Sequence, residues 1–487
     1  MNKKHLIYYI ILAIIFLIGL ILRLKFYISN RPLWHDECSL ALSIINRNIF
    51  GFFSTLEHNQ SAPPLFLLIT KFFTLICNST KEYILRLFPL ICGLGSIPAF
   101  YYFSKLFISR KWVLIIANFL FAINYHIIYY CQEFKQYSSD VFVLLLCFIF
   151  LAKLNLTEYT TKKLFLLGGA IAILPILSLP SLFLIGAFII QQIVFHKKSV
   201  IKNIIIFISP CFISCIIYYL LILSQQYTTI LSTNYWDNAK GFFMLSINHN
   251  LYIISQNLAY HLYPNKFLLI NLILCLIGFF YIIKNRKKTF NFILIILMII
   301  ITICSYMKLY PVYERVSLYL IPITLVLITL PLNYIAYNRK IYSIFVILLT
   351  FLGLSAYNLS YAKTLLKNDL FYKTDARTTM KVLLEQYNPS DYVIINRASD
   401  SEFEYYKHYY NIDIKHFAIV QLPEYSKENY FDILDQLPAN NNYLFYYPND
   451  YSHSPVIPFL KEWSKKQKIL FDKEVNGSYL IYLHKLH

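Results

Sequence analysis

The sequence predicts a polytopic α-helical membrane protein of about 11–13 transmembrane helices, each needing roughly 20 apolar residues, with a small α/β domain at its C-terminal end. Three observations carry this. Of 487 residues, 58% are hydrophobic and only 14% charged, whereas a soluble domain carries about 25% charged residues. Residues 1–357 hold 29 Lys and Arg against 9 Asp and Glu, and residues 358–487 hold 15 against 16. The first part is built of long apolar runs, whereas the second alternates short helical and strand patterns. A basic membrane domain, 1–357, and a near-neutral soluble domain, 358–487, are therefore expected.

The net charge of +19 does not read as nucleic-acid binding, because the excess lies between apolar runs and not on one water-facing patch. All nine cysteines fall in 1–357, mostly in or beside apolar stretches where a thiol packs as a small hydrophobe, and no C-x-x-C spacing occurs. With 43 Tyr and 40 Phe, aromatic stripes carry little functional weight.

The first apolar run, Leu6 to Leu22, follows Lys3 and Lys4 and is long enough to cross the bilayer. No small-residue cleavage site follows it, so it reads as an uncleaved signal anchor. Further spans are expected near 84–104, 112–130, 138–152, 164–178, 180–195, 204–225, 267–283, 289–306, 316–336 and 341–357. The stretch 62–78 opens on Ala62-Pro63-Pro64 and carries Lys71 at its middle, which suits a juxtamembrane or half-inserted helix. With the N-terminus cytoplasmic, the inner segments collect Lys105, Arg110, Lys111, Lys153, Lys162, Lys163 and the Lys284 to Lys288 cluster against one acid, Glu158. Counting 62–78 as a span would reverse every later loop. The expected location is thus the inner (plasma) membrane, multi-pass, with loops 25–83 and 131–137 and the C-terminal domain outside the cytoplasm.

In the tail, helices are expected near Asp375–Gln386, Ser401–Tyr410, Lys427–Leu437 and Val456–Lys466. Strands are expected at Tyr392–Asn396, His416–Val420 and Tyr443–Tyr447, with a closing hairpin that turns at Asn476-Gly477. Such alternation implies an α/β layer domain. It shows no phosphate-binding glycine loop, nucleophile elbow or metal motif, which leaves recognition or packing as its role. Its tyrosine runs, such as Tyr405, Tyr406, Tyr409 and Tyr410, read as core and not as a sugar platform.

Seven of the nine acids of 1–357 fall in the outer loops: Asp36, Glu37, Glu57, Glu82, Glu133, Asp237 and Glu314. Pumps and transporters tend to place working acids within their spans. The loop after the first span reads Arg31-Pro32-Leu33-Trp34-His35-Asp36-Glu37, then Glu57-His58-Asn59-Gln60-Ser61-Ala62-Pro63-Pro64. The loop after the third span reads Cys131-Gln132-Glu133-Phe134-Lys135-Gln136-Tyr137-Ser138-Ser139-Asp140.

On these residues the sequence resembles the GT-C glycosyltransferases, the membrane families that include the protein O-mannosyltransferases of glycosyltransferase family 39 and the lipid A aminoarabinose transferase. The resemblance lies in an order of parts: a first helix, a Trp-x-Asp-Glu loop, a Pro-Pro-Leu segment entering a Lys-containing helix, Leu85-Arg86-Leu87-Phe88-Pro89, and a Gln-Glu-x-Lys-x-Tyr loop. It covers residues 1–150, and the rest through hydropathy alone.

The resemblance implies a GT-C fold. It also implies transfer of a sugar from a polyprenyl-phosphate carrier to a glycan, lipid or protein acceptor outside the cytoplasm, usually with inversion at the anomeric carbon. Asp36 is the implied general base, a role worth about 10²- to 10⁴-fold, and Glu37 and Glu133 are further catalytic candidates. His58, Lys71, Arg86, Lys135, Tyr137 and Arg315 are candidate substrate-binding residues, the cations among them meeting the charge that grows on the departing lipid phosphate.

Several of these residues and their neighbours have a plainer alternative. Lys71 and Arg86 suit snorkelling to headgroups, Glu133 suits pairing with Lys135, His58 and His126 suit satisfied structural positions, and Asp140 suits a helix N-terminus. A divalent metal ion is left open, with Asp36 and Glu133 as its ligands if one binds. Cys38 and Cys131 are either a disulfide or two free thiols. Two rival functions stand beside the transferase. One is an O-antigen ligase or polymerase, which would rely on late Arg and His residues such as Arg315 and His261. The other is a lipid-linked sugar transporter, disfavoured by the scarcity of charge within the spans.

Overall fold

The computed structural model describes residues 3–58, 60–196, 200–224, 235–262, 268–338, 360, 375–420, 427–447, 456–475 and 478–486. The chain opens on α1 (Lys3–Ile28), whose apolar faces stay exposed at Ile10, Ile14 and Leu17, as lipid contact requires. The helix continues past the expected Leu22 because Arg23, fully buried, donates from Nη1 to the carbonyls of Gly19 at 2.9 Å and Ala122 at 3.0 Å.

The long loop that follows folds into α2 (His35–Asn46) and α3 (Pro64–Ile76). With Pro64 at its first turn, where a missing N–H costs nothing, α3 has 13 residues. It is about 20 Å long at 1.5 Å per residue, too short to cross ~30 Å of hydrocarbon.

The bundle continues with α4 (Leu87–Phe107), α5 (Lys111–Ala122), α6 (Tyr125–Tyr130), α7 (Tyr137–Leu151), α8 (Thr161–Ala172), α9 (Ser181–His196) and α10 (Ile201–Tyr218). Further described elements are α11 (Ile247–Leu262), α12 (Leu268–Lys284), α13 (Thr289–Tyr306), a 3₁₀ segment (Glu314–Leu320) and α14 (Ile321–Asn338). Among the described residues, five helices are long and apolar enough to cross a membrane: His5–Ile28, Leu87–Phe107, Ile201–Leu221, Thr289–Tyr306 and Glu314–Asn333. Shorter apolar helices of 10–17 residues, such as Ser181–His196 and Leu268–Lys284, fall in other expected spans.

Among the described residues, the helix breaks well inside two expected spans, each time for a local reason. Over 112–130 the helix stops at Ala122 and restarts at Tyr125, because the Asn124 side chain accepts from the Ile127 N–H at 3.1 Å and donates to the His261 carbonyl at 2.9 Å. Over 164–178, α8 stops at Ala172 ahead of Pro175, which lacks an N–H and opens a four-residue helix, Leu174–Leu177. The expected span 341–357 lies outside the described residues.

The tail follows the alternation closely. Helices α15 (Ala376–Gln386), α16 (Asp400–Tyr409), α17 (Lys427–Asp435) and α18 (Val456–Ser464) interleave with β1 (Tyr392–Asn396), β2 (Phe417–Val420), β3 (Asn442–Tyr447), β4 (Lys468–Val475) and β5 (Ser478–His484). Asp375 caps α15 by accepting from the Thr378 N–H at 3.0 Å. The strands form one mixed sheet in the order β2-β1-β3-β5-β4, parallel at β2-β1-β3 and antiparallel from β3 onward. The turn expected at Asn476-Gly477 lies outside the described residues.

Alternation along β1 and β3 splits the sheet's apolar side chains between two layers. Ile394, Tyr443, Phe445 and Tyr447 pack with Trp463 on one face. Val393, Ile395, Leu444 and Tyr446 pack on the other, in a core that also holds Leu33, Cys38, Leu40, Ile44, Phe66 and Phe134 from the membrane part. The sheet unit and the α2–α3 loop thus share one hydrophobic core. Tyr405 and Tyr406 are fully buried in it, as expected of core tyrosines.

Candidate active site

The site is built on the first turn of α2. Consecutive helical residues point about 100° apart, so Asp36 and Glu37 face different surroundings. Asp36 turns toward the 3₁₀ segment Glu314–Leu320, where Arg315 Nη2 donates to its Oδ2 at 3.4 Å. Both side chains keep a path to solvent, 25% exposed for Asp36 and 21% for Arg315. The guanidinium also lies over the Trp34 ring, 5.3 Å from its centroid. Lys135 lies within electrostatic reach of Asp36, Arg315 and Glu133, and its Nζ donates to Gln60 Oε1 at 2.5 Å. Burial holds the Lys135 ammonium below its ordinary value, and Asp36 offsets this only in part. Tyr137, buried at the start of α7, packs edge-on against Tyr130 at 5.3 Å and lies near Arg315 and Glu133.

Glu37 faces inward. Fully buried, it accepts from Arg86 Nε at 2.9 Å, Arg86 Nη2 at 2.7 Å and the Phe134 N–H at 2.6 Å, and Arg31 Nη2 stands 3.4 Å away. Burial pushes this carboxyl up, but Arg31 and Arg86 more than offset it and hold it below the usual carboxylate range. Arg86 is equally committed, donating also to the carbonyls of Arg31 and Pro32. Arg31 reaches on to Glu133 Oε2 at 3.5 Å and lies over the Tyr129 ring. The result is a knot of two guanidiniums and two carboxylates that ties the α2 turn to the start of α4 and to the loop 131–136.

Among the other candidates, Lys71 donates from Nζ to the Ile44 carbonyl near the C-terminal end of α2, where a cation complements the helix dipole. His58 stands 3.7 Å from Asp400 Oδ2 of α16. It borders a 540 Å³ cleft between the far end of α2 and the sheet unit, a cleft lined also by Ile45, Glu57 and Lys407. His126 stacks on Tyr260 with ring centroids 3.6 Å apart. His261 lies within hydrogen-bond distance of Ser317 and Thr324. The structure thus brings Asp36, Lys135, Tyr137, Arg315 and Glu133 together, gives Glu37 and Arg86 to the knot beneath them, and sets Lys71 and His58 apart. Cys38 and Cys131 are separate buried thiols.

Asp36 and Glu133, the ligands named for a divalent ion, each face a guanidinium, and among the described residues no group of three His, Cys, Asp or Glu gathers as a metal site. That donor set does not fit a resident ion.

Sequence reasoning missed Arg31, Trp34 and Gln60 as parts of the site. Arg31 and Trp34 stand in the same seven-residue loop as Asp36, and their proximity along the chain was the available signal. Gln60 had none, because its partner Lys135 lies 75 residues on.

The sequence matches no family model and no curated protein. Solved structures do resemble it. ArnT from Cupriavidus metallidurans in the apo state is similar over 94% of this chain and 96% of its own, at 10% identity and a TM-score of 0.54. The same protein bound to undecaprenyl phosphate is similar over 99% of this chain and 98% of its own, at 10% identity and a TM-score of 0.53. The oligosaccharyltransferase of Archaeoglobus fulgidus in the apo form is similar over 97% of this chain and 74% of its own, at 13% identity and a TM-score of 0.50. Identity at this level carries the fold and not the chemistry. The chain is a multi-pass membrane protein with the GT-C fold.

Proposed function

We propose that the protein is a glycosyltransferase that moves a sugar from a polyprenyl-phosphate carrier to an acceptor, with inversion and with Asp36 as general base. The observation that carries this is the solvent-reachable pairing of Asp36 with Arg315, beside the buried Lys135. It is supported by the likeness to ArnT, which has been seen with undecaprenyl phosphate.

The Asp36–Arg315 contact is single and 3.4 Å long, whereas strong charge-assisted bonds run about 2.7–2.9 Å. A phosphate can therefore draw Arg315 away and leave the carboxylate free. The acceptor O–H or N–H then gives its proton to Asp36 as its lone pair attacks the anomeric carbon. The bond from that carbon to the phosphate oxygen breaks with its electron pair, and polyprenyl phosphate leaves. Arg315 and Lys135 meet the negative charge that grows on the leaving oxygen. Glu37, with its oxygens committed to Arg86, Arg31 and the backbone, holds the turn in place and transfers no proton.

In this reading residues 1–357 are the catalytic membrane domain and 358–487 a soluble domain. The basic loops face the cytoplasm with the N-terminus, and the site opens on the far side of the inner (plasma) membrane, as the distribution of Lys and Arg supports. Acceptors of three kinds, glycan, lipid or protein, remain compatible with the chemistry. Mass spectrometry of envelope glycans, lipids and glycoproteins with and without the gene tests the reading. Loss of one sugar from one acceptor is the expected result, and an unchanged envelope would refute it.

A further inference from the structure

The turn that carries Asp36 is gripped from two sides. One grip is the Glu37 knot within the membrane part. The other comes from α16 of the sheet unit, more than 360 residues away in sequence. His35, the residue before Asp36, places Nδ1 2.9 Å from Glu402 Oε2. One turn further on, Ser39 Oγ donates to Ser401 Oγ at 2.8 Å. Just before the helix, the Leu33 N–H donates to the Tyr406 hydroxyl at 2.8 Å. Cys38, Ala41 and Ile44 share a core with Phe403, Tyr405 and Tyr406.

We propose that Glu402 and His35 are positioning residues for Asp36, so that the C-terminal domain sets the aim of the base and does not merely recognise or pack. The proposal rests on the reading of Asp36 above.

The electrostatics make the pair more than a contact. Glu402 has no exposed side-chain surface, whereas His35 keeps 27%. Pairing with a cation offsets the cost of burying a carboxylate, so the contact favours an imidazolium at His35. Among the described residues, Glu402 and Asp400 from α16 and Asp36 from its own helix act on His35 as acids. His58, in the loop between α2 and α3, stands 3.7 Å from Asp400 Oδ2. Burial pushes the His35 imidazole down, but the bond to Glu402 and these acids outweigh it, and its pKa lies above the ordinary value. A raised histidine pKa means that the pair holds fully below the unfolded value and is lost as pH rises through the folded one. Loss of the charge leaves Glu402 buried beside a neutral ring and loosens the turn at its first residue. Displacement of a reacting group by about 1 Å can cost roughly a hundredfold in rate.

The test uses membranes of a gene-deleted strain carrying the parent chain, Glu402→Gln, His35→Gln or Asp36→Asn. The readout is the rate at which the envelope mass change is restored, followed by mass spectrometry between about pH 5 and pH 9, where histidine titrates. Size-exclusion profiles and melting of the solubilised chains report folding. The parent should lose rate on the alkaline side. Folded Glu402→Gln should be about tenfold to a hundredfold slower, with its alkaline fall moved to lower pH because burial then acts on His35 with less opposition. His35→Gln, at a partly exposed position, should be slowed similarly and lose that alkaline fall. If Glu402→Gln does not fold, His35→Gln decides alone. A folded variant with the parent's rate and pH profile would overturn the proposal. Asp36→Asn separates the two levels: if it keeps full rate, the Asp36 reading fails, and if it is inactive while Glu402→Gln and His35→Gln match the parent, only the positioning proposal fails.

Discussion

Replacing Arg86 by Gln probes the knot beneath the site. The guanidinium is 1% exposed and Glu37 not at all. Arg86 supplies two bonds to Glu37 and two to the carbonyls of Arg31 and Pro32. Removing one partner of a buried pair costs about 3–5 kcal/mol, because the remaining charge stays in a low dielectric. Arg31 still stands 3.4 Å from Glu37, so the lower end, about 3 kcal/mol, is expected here. The contrast is Glu474→Gln, which removes an ion pair with Lys461 whose side chains are 61% and 42% exposed; an exposed ion pair of that kind is worth about 1 kcal/mol or less. Unfolding free energies from denaturant titration in mixed micelles would measure both variants. The double variant Arg86→Gln/Glu37→Gln should recover part of the loss, since the stranded charge is then gone. An Arg86→Gln chain within about 0.5 kcal/mol of the parent, the range of ordinary surface changes, would refute the reasoning.

Arg315→Lys and Lys135→Met should each weaken binding of undecaprenyl phosphate by roughly tenfold to a hundredfold, the worth of a charged hydrogen bond. Asp36→Asn should leave that binding intact or tighter, and titration of the lipid into solubilised protein checks all three. At Gly168 an added Cβ would lie 1.9 Å from the Phe207 carbonyl oxygen, whereas at Gly169 nothing lies within 4 Å. Gly168→Ala should therefore force α8 from α10 at a cost of about 1–3 kcal/mol, and Gly169→Ala should be neutral or stabilising by up to about 1 kcal/mol, as read by the same titration. The depressed Glu37 pKa predicts a contribution to stability that is full above the ordinary carboxylate value and lost as pH falls through the folded value. Melting temperature against pH should show an acid-side fall that shrinks in Glu37→Gln.

What was legible in the sequence follows from what local pattern encodes. Strand β1 falls at Tyr392–Asn396 as expected because Val393-Ile394-Ile395 is β-branched and follows the turn-forming Asn388-Pro389-Ser390. The break at Asn124 was hidden, because an apolar run records composition, whereas the helix stops where one polar side chain captures a backbone N–H. The proposed role of Asp36 was suggested by its loop, but the different surroundings of Asp36 and Glu37 were not legible there. These depend on which neighbour meets Arg86 and Phe134, partners 49 and 97 residues away. The His35–Glu402 contact spans 367 residues and leaves no trace in either segment alone. A run such as Tyr405-Tyr406 could be assigned to a core from composition bias, and Tyr406 nonetheless carries a hydroxyl that accepts the Leu33 N–H.

The central claim is that Asp36 takes the acceptor's proton next to a phosphate held by Arg315 and Lys135. The most direct measurement is the rate of sugar transfer by membranes carrying Asp36→Asn, in a variant shown to fold and to bind undecaprenyl phosphate. A fall of about 10²- to 10⁴-fold, the usual worth of a positioned base, is the predicted result. Transfer at the parent's rate would contradict it.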